Sequence, residues 1–244
     1  MRKAGMRIGA GFLVFIWMIT AVPAASAQDA VTSPAPAKQE VASGQQTAFY
    51  KRIMEILNGP TNLEYPKPQN SNEGRETPIF GQPVVTKEQM VSFIRRQNPF
   101  PQITCSLEEL VDIYYEEASH EGIRPDLALA QAILETGFFR YGRDVLPQQN
   151  NFSGLGTTGG GVQGASFESP RIGVRAHIQH LIAYSAARDP LKPVVDPRFH
   201  LVRALPYRSA QCSTWESLSG KWAVPGVGYG ERIVKIIDAV KTGH

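Results

Sequence analysis

Residues 126–137 read DLALAQAILETG, an apolar stretch that ends in a glutamate, a threonine and a glycine. Leucine and alanine favour helix, and Leu127 and Leu134 fall on one helical face. Gln131 and Glu135 lie four residues apart and share the neighbouring face. A carboxyl group at the rim of an apolar helix loses water, and the resulting rise in pKa lets such a group donate a proton near neutral pH. The stretch predicts a helix that carries a candidate general acid, Glu135, beside a candidate ligand-binding amide, Gln131.

Helical patterns on both sides of this stretch predict a mainly α fold. Thr86 and Ser106 each stand three residues before a Gln or a Glu, which is the capping-box pattern at the start of a helix. Apolar stripes predict further helices over about residues 170–187 and 230–240. Residues 138–167 are rich in glycine and have little helical periodicity, so they are expected to form a loop or a short hairpin.

The N-terminal part of the chain has the composition of an export signal and a linker. Residues 1–27 combine basic residues, a short apolar run and small residues, which is the layout of a secretory signal peptide, with an uncleaved anchor as the alternative. We then expect a disordered linker over 28–47, a short helix plus an extended segment over 48–85, and one domain over 86–244. The mature protein is expected to be secreted, in the cell wall or periplasm, with no stable membrane span.

The charge balance argues against a nucleic-acid partner. The chain has 25 basic and 22 acidic side chains, and three of the basic ones, Arg2, Lys3 and Arg7, lie in the expected signal peptide. The remaining 22 basic side chains balance the 22 acidic ones, so no basic excess is left to bind phosphates. The length that remains suits a single core, and we expect a monomer.

Two cysteines, Cys105 and Cys212, are candidates for a disulfide bond. An even number of cysteines in an exported protein favours pairing. The bond would close a loop of more than a hundred residues, which is worth roughly 4–5 kcal/mol in the chain-entropy model. Two free thiols are the alternative, because sequence does not show whether the side chains meet.

Several motifs in order along the chain resemble one enzyme family. The end of the apolar helix, LETG at 134–137, is followed by QQNNFSGLG at 148–156. This pair resembles the glucosaminidase domain of glycoside hydrolase family 73, whose members are endo-β-N-acetylglucosaminidases that cleave bacterial peptidoglycan. The resemblance covers roughly residues 86–240, most of the expected mature chain. It continues through Phe167, GVRAHIQHL at 173–181, AY at 183–184, KWA at 221–223 and YG at 229–230.

This resemblance implies a fold, a reaction and roles for particular residues. The implied fold is lysozyme-like, with a helical lobe, a small glycine-rich β-hairpin lobe and a groove between them. Glu135 would be the general acid, and Tyr229 would face it across the cleft. Asn151 and Phe152 would line the floor of the sugar groove. The implied substrate is the glycan strand, cut at N-acetylglucosamine β-1,4 linkages, and neither a cofactor nor a metal is implied.

The sequence departs from the family at the second catalytic group. Many members carry a glutamate in the hairpin, but residues 154–167 contain no Asp or Glu. A pair of catalytic carboxylates stands about 5–5.5 Å apart for retention and about 6.5–9.5 Å apart for inversion. The nearest candidates are Glu168, after the hairpin, and Asp144, before the turn. Glu168 activating water, the substrate N-acetyl group acting as nucleophile, and an anhydro-sugar product all remain open, with the first two favoured over the third.

Other features leave two alternative functions in view. His177 and His180 are three residues apart, but no Asp, Glu or Cys at ligand spacing accompanies them, so we expect structural histidines rather than a metal site. Trp222 is a candidate for stacking on a sugar face and equally a candidate core residue. A lytic transglycosylase would give anhydro-muramic products. A non-catalytic peptidoglycan-binding module would fit the missing hairpin acid.

Overall fold

The structure, a computed structural model, describes residues 76–142, 144–157, 161–223 and 226–243, and the expected mainly α, lysozyme-like fold is confirmed. The expected signal peptide, the linker and most of the segment over 48–85 lie outside these ranges. Within them, no helix combines the length and the apolar composition that crossing a bilayer requires. The helices are α1 (Lys87–Gln97), α2 (Leu107–His120), α3 (Pro125–Thr136), α4 (Pro170–Ser185), α5 (Phe199–Arg203) and α6 (Tyr229–Thr242), with 3-10 turns at Pro147–Gln149 and Glu216–Leu218.

Helix α3 is the centre of the fold. Eleven of its twelve residues are buried, and Glu135 is the one that keeps partial exposure. A helix that is apolar on every face is stable only when other elements surround it. Helices α2 and α6 pack against α3, and α2 also contacts α1 and α4. The core is therefore built around the helix that carries the candidate acid.

The helix starts follow the capping signals in the sequence. Thr86 accepts a hydrogen bond from the backbone N–H of Gln89, whose side chain accepts from the Thr86 N–H, so the predicted capping box is formed. Ser106 accepts from the N–H of Glu109 at the start of α2. Such caps supply partners for helix N–H groups that have none within the helix. These local signals fix where α1 and α2 begin.

The described part of the glycine-rich segment contains no β-strand and forms a loop, which is one of the two conformations expected for it. Gly154 and Gly156 adopt φ values of 66° and 81°, which interrupt an extended strand. The Asn151 side chain connects the two sides of the segment: its amide donates to the carbonyls of Leu155 and Ala165, its oxygen accepts from the Leu155 N–H, and the Ala165 N–H donates to the Leu155 carbonyl. The segment is thus a loop pinned by an asparagine.

A buried carboxylate fastens the loop after α4 to the helices. Glu117 of α2 is almost fully buried and forms ion pairs with Arg171 and Arg175 of α4 and with Lys192 of the following loop. Burial on its own would raise the pKa of Glu117, but the hydrogen bonds from these three cations outweigh it and lower the pKa to about 2. The carboxylate remains charged, so the clamp holds over the physiological pH range.

Both cysteines are free thiols, so the predicted disulfide is not formed. Cys212 is buried in the core, and its thiol donates to the Ser217 carbonyl. Cys105 is partly exposed just before α2, and burial raises the pKa of its thiol to about 11. An even number of cysteines does not require pairing, because a disulfide needs close and correctly oriented Cβ atoms.

Candidate active site

Glu135 stands at the rim of the core because α3 ends in a left-handed turn. Gly137, Phe138 and Phe139 have φ values of 61°, 58° and 59°. The hydroxyl of Thr136 donates to the Ala132 carbonyl and accepts from the Phe139 N–H, which ties the turn to the helix. Both phenylalanine rings are completely buried. Positive φ at bulky residues is costly and persists only where packing enforces it, so the position of the carboxylate is tightly determined.

Two donors converge on one oxygen of Glu135. The Tyr229 hydroxyl donates to Oε1 at 2.5 Å, and the Trp222 indole Nε1 donates to the same atom at 3.2 Å. Tyr229 is the first residue of α6, and Trp222 lies in the loop just before it. Residues nearly one hundred positions away from the acid therefore fix the rotation of its carboxyl group.

Behind Tyr229 a chain of hydrogen bonds runs through the core. The Gln131 amide nitrogen donates to the Tyr229 oxygen at 2.8 Å, and Gln131 Oε1 lies 2.9 Å from His177 Nε2. The Tyr114 hydroxyl lies 3.0 Å from His177 Nδ1. We call these five residues, Tyr114, His177, Gln131, Tyr229 and Glu135, the relay. It connects α2, α4, α3 and α6 and ends at the candidate acid.

The Trp222 indole is held by three neighbouring rings. Its centroid lies 4.9 Å from that of His180, 5.7 Å from that of His177 and 5.5 Å from that of Tyr184. His180 Nδ1 lies 2.7 Å from Oδ2 of the buried Asp196. The contact with His180 is edge-to-face and the other two are tilted, and such ring contacts favour one orientation of the indole. The cluster therefore directs the indole N–H at Glu135.

Burial sets the protonation of the inner relay residues. Complete burial, with a smaller effect from His180, lowers the pKa of His177 to about 3. Burial also raises the pKa of Tyr114 well above its ordinary value. A neutral imidazole has one N–H and one acceptor nitrogen, and a protonated phenol is a donor. The inner half of the relay is therefore uncharged at neutral pH.

The low pKa of His177 predicts a loss of stability in mild acid. In the unfolded chain a histidine takes up a proton near pH 6.5, whereas folded His177 remains neutral down to about pH 3. The unfolded state then binds more protons, so the free energy of unfolding falls as the pH drops. We expect a decrease of about 2 kcal/mol from pH 7 to pH 5. Urea unfolding of the wild type and of His177→Gln measures it, with the exposed His200→Gln as control. A decline that persists unchanged in His177→Gln would contradict this assignment.

The structure places three of the predicted binding residues, Gln131, Asn151 and Phe152, in the interior of the protein. Gln131 is completely buried and both ends of its amide are occupied within the relay, so in this structure its side chain bonds to Tyr229 and His177 and is not exposed to a ligand. The Phe152 ring is buried between Tyr114 and Phe139, and the Asn151 amide is used within the loop. Both side chains are almost completely buried.

The other predicted residues take up different positions. Tyr229 is buried and its hydroxyl donates a hydrogen bond directly to Glu135, rather than facing it across an open cleft. Trp222 is partly exposed at the carboxylate. Glu168 is exposed immediately before the N-cap of α4, and Asp144 accepts from the Gly161 N–H. Asp144 is therefore engaged in holding the glycine-rich loop.

Tyr114 and His180 are site residues that the sequence did not reveal as such. Tyr114 lies on the apolar face of α2 and looks like any core aromatic residue. The sequence predicts a structural role for His180, and the contact of its ring with Trp222 connects it to the candidate acid. In the described part of the chain, no three His, Cys, Asp or Glu side chains gather into a metal site. The sequence signal that points to the relay is Gln131, since a polar residue inside an apolar helix needs a buried hydrogen-bond partner.

Comparison with known proteins adds a family match that spans this site. The sequence model of the family described as "Glucosaminidase: Mannosyl-glycoprotein endo-beta-N-acetylglucosaminidase" matches residues 111–242. Over 124 residues the chain is 38% identical to a protein of Borreliella burgdorferi (strain ATCC 35210 / DSM 4680 / CIP 102532 / B31), which is described as an uncharacterized protein. The alignment covers 51% of this chain and 58% of that protein, so the chain spans somewhat more than half the length of this relative. No solved structure matches the chain.

Proposed function

The chain belongs to the glucosaminidase family, and we propose that it is an exported peptidoglycan hydrolase that cleaves the glycan strand at N-acetylglucosamine β-1,4 linkages. Membership of the family supports a glycosidase that acts on peptidoglycan. The bond that is cut, the role of Glu135 and the export of the protein are our proposals. They rest on the geometry around the acid and on the signal-like N-terminus.

The observation that carries the proposal is the environment of Glu135. It is the partly exposed residue of an otherwise buried helix, and Tyr229 and Trp222 both donate to its Oε1. General acid catalysis needs a carboxyl group that is held still and can reach the leaving oxygen. A carboxylate that was only a solvated surface group would not need two aromatic donors, one of them buried and the other partly buried. The arrangement fits an acid that protonates a glycosidic oxygen.

The two donors also suggest which oxygen gives up the proton. A hydrogen on Oε1 would point toward the hydrogens of Tyr229 and Trp222, so the acid form carries its proton on Oε2. Protonation of the glycosidic oxygen from Oε2 would let the bond between that oxygen and the anomeric carbon break, so that the leaving sugar departs as an alcohol; water then attacks the oxocarbenium-like carbon and gives up a proton. The negative charge that remains on Glu135 would be stabilised by the same two donors.

For the second catalytic group we propose Glu168, which would activate the attacking water. It is exposed, and the backbone of its neighbour Phe167 is fixed by two hydrogen bonds. The Phe167 N–H donates to the Gln149 carbonyl, and the Phe167 carbonyl accepts from the Asn150 side-chain amide. We expect Glu168→Gln to slow hydrolysis by about a hundredfold. Asp144→Asn tests the other candidate carboxylate, because asparagine still offers an oxygen to the Gly161 N–H, and the exposed Glu109→Gln is the control. A wild-type rate for Glu168→Gln would contradict this role and would point to the N-acetyl group of the substrate.

Digestion of purified peptidoglycan tests the proposed activity as a whole. The protein should clear a suspension of sacculi and release soluble fragments. Binding to insoluble peptidoglycan with no soluble fragments would contradict the proposal, because it is the behaviour of a binding module without turnover.

A further inference from the structure

The relay behind Glu135 has a direction, and each of its hydrogen bonds supports it. The Gln131 amide nitrogen is purely a donor, so the Tyr229 oxygen accepts there and its own hydrogen goes to Glu135 Oε1. Gln131 Oε1 is purely an acceptor, so the nitrogen that faces it, His177 Nε2, must carry a hydrogen. All the donors point toward Glu135.

The proton inventory of the inner residues agrees with this direction. His177 is neutral because its pKa is lowered to about 3, so it has one ring hydrogen, and Gln131 requires that hydrogen on Nε2. His177 Nδ1 then accepts from Tyr114, whose raised pKa keeps its hydroxyl protonated. Each buried polar atom of this part of the relay is satisfied by one arrangement of hydrogens.

The opposite histidine tautomer would reverse the relay. With the hydrogen on Nδ1, the bare Nε2 would need a donor, and the Gln131 amide would have to turn over to provide one. The Tyr229 hydroxyl would then face the Gln131 oxygen and donate to it, and Glu135 Oε1 would lose that donor. The tautomer of His177 and the hydrogen bond to the acid are therefore linked.

We propose that His177 is a positioning residue that, through Gln131, makes Tyr229 a donor to Glu135 Oε1 and so keeps the transferable proton of Glu135 on Oε2. The proposal rests on the proposed function, in which Glu135 is the general acid. His177 is completely buried and reaches the reaction only through the relay. Losing it should therefore slow the chemical step without weakening substrate binding.

The tautomer of His177 gives a test that does not depend on activity. Nitrogen-15 NMR of the wild-type protein between pH 5 and pH 8 should show the His177 ring neutral, with its hydrogen on Nε2. Comparison with His177→Gln identifies the signals. A hydrogen on Nδ1, or a cationic ring in this range, would overturn the proposal even if the enzyme cleaves peptidoglycan.

Kinetics on soluble glycan strands give the second test. We expect folded His177→Leu to lose about tenfold or more in kcat with KM unchanged, which is the effect of one lost hydrogen bond in the transition state. His177→Gln should recover most of the rate, because its amide can donate to Gln131. His200→Leu, the same change at an exposed position on α5, is the control.

The two tests distinguish a failure of the role proposed for His177 from a failure of the proposed function. A wild-type kcat for folded His177→Leu would contradict the positioning role of His177. It would leave the proposed function intact, provided that the wild type cleaves the strands. A wild type that cleaves nothing would overturn the proposed function, and the NMR result would still decide the direction of the relay. If His177→Leu does not fold, the tautomer alone decides.

Discussion

Glu135→Gln is expected to lower the rate of peptidoglycan hydrolysis by about a thousandfold while the fold remains intact. Glutamine has the same shape, and its oxygen can still accept from Tyr229 and Trp222, so the surroundings of residue 135 need not change. The amide has no acidic proton to give to the glycosidic oxygen. The loss therefore reports proton donation and not collapse of the site.

Release of reducing ends from purified peptidoglycan measures this effect, with circular dichroism and thermal unfolding as checks on the fold. Glu109→Gln is the matched control, since Glu109 is an exposed glutamate on α2 and away from the relay. Its rate should equal that of the wild type. A Glu135→Gln protein that retains more than about a tenth of the wild-type rate would remove Glu135 from the role of general acid.

Gly173→Ala is expected to destabilise the protein by roughly 3 kcal/mol, although alanine is the better helix former. Gly173 lies in the first turns of α4, and a Cβ built there would stand 1.8 Å from the backbone oxygen of Asn150. Asn150 cannot move away easily, because its side chain forms hydrogen bonds with the Thr104 hydroxyl and with the Phe167 carbonyl. Helix α4 would therefore have to move away from Asn150.

Urea unfolding of Gly173→Ala measures this loss. Lys235→Ala, an exposed substitution on α6, is the control and should change the free energy of unfolding by less than about 0.5 kcal/mol. Helix propensity alone would make the glycine substitution stabilising by about 1 kcal/mol. A Gly173→Ala protein as stable as the wild type would contradict the close approach of α4 to Asn150.

The sequence predicts the helices well because their signals are local. The capping residues Thr86 and Ser106 and the apolar stretch before Glu135 each act within one or two turns of helix. Periodicity shows which residues share a face but does not show what covers that face. Gln131 and Glu135 share a face, yet α6 covers the first with Tyr229 and leaves the second at the rim.

The relay could not be predicted because its members are far apart in the sequence. Tyr114 and His177 come from different helices, and no spacing rule connects them to Gln131 or to Tyr229. The conformation of the glycine-rich loop has a similar cause. Its glycines permit either a hairpin or a loop, and the hydrogen bonds of the Asn151 side chain to Leu155 and Ala165 are not visible in the sequence.

The cysteines were mispredicted for a related reason. A count of two says nothing of where the side chains lie, and Cys212 is committed to the core beside Ser217. The role of Glu168 and the product of the reaction are predictions. The hydrogen bonds that define the site lead to Glu135.

Mass spectrometry of the fragments released from purified peptidoglycan tests the central claim most directly. A hydrolase that cuts after N-acetylglucosamine and uses Glu135 as its acid should leave fragments with reducing N-acetylglucosamine ends, and Glu135→Gln should release none above background. Fragments that end in anhydro-muramic acid would contradict hydrolysis and identify a lytic transglycosylase. Fragments with reducing muramic acid ends would contradict the proposed bond.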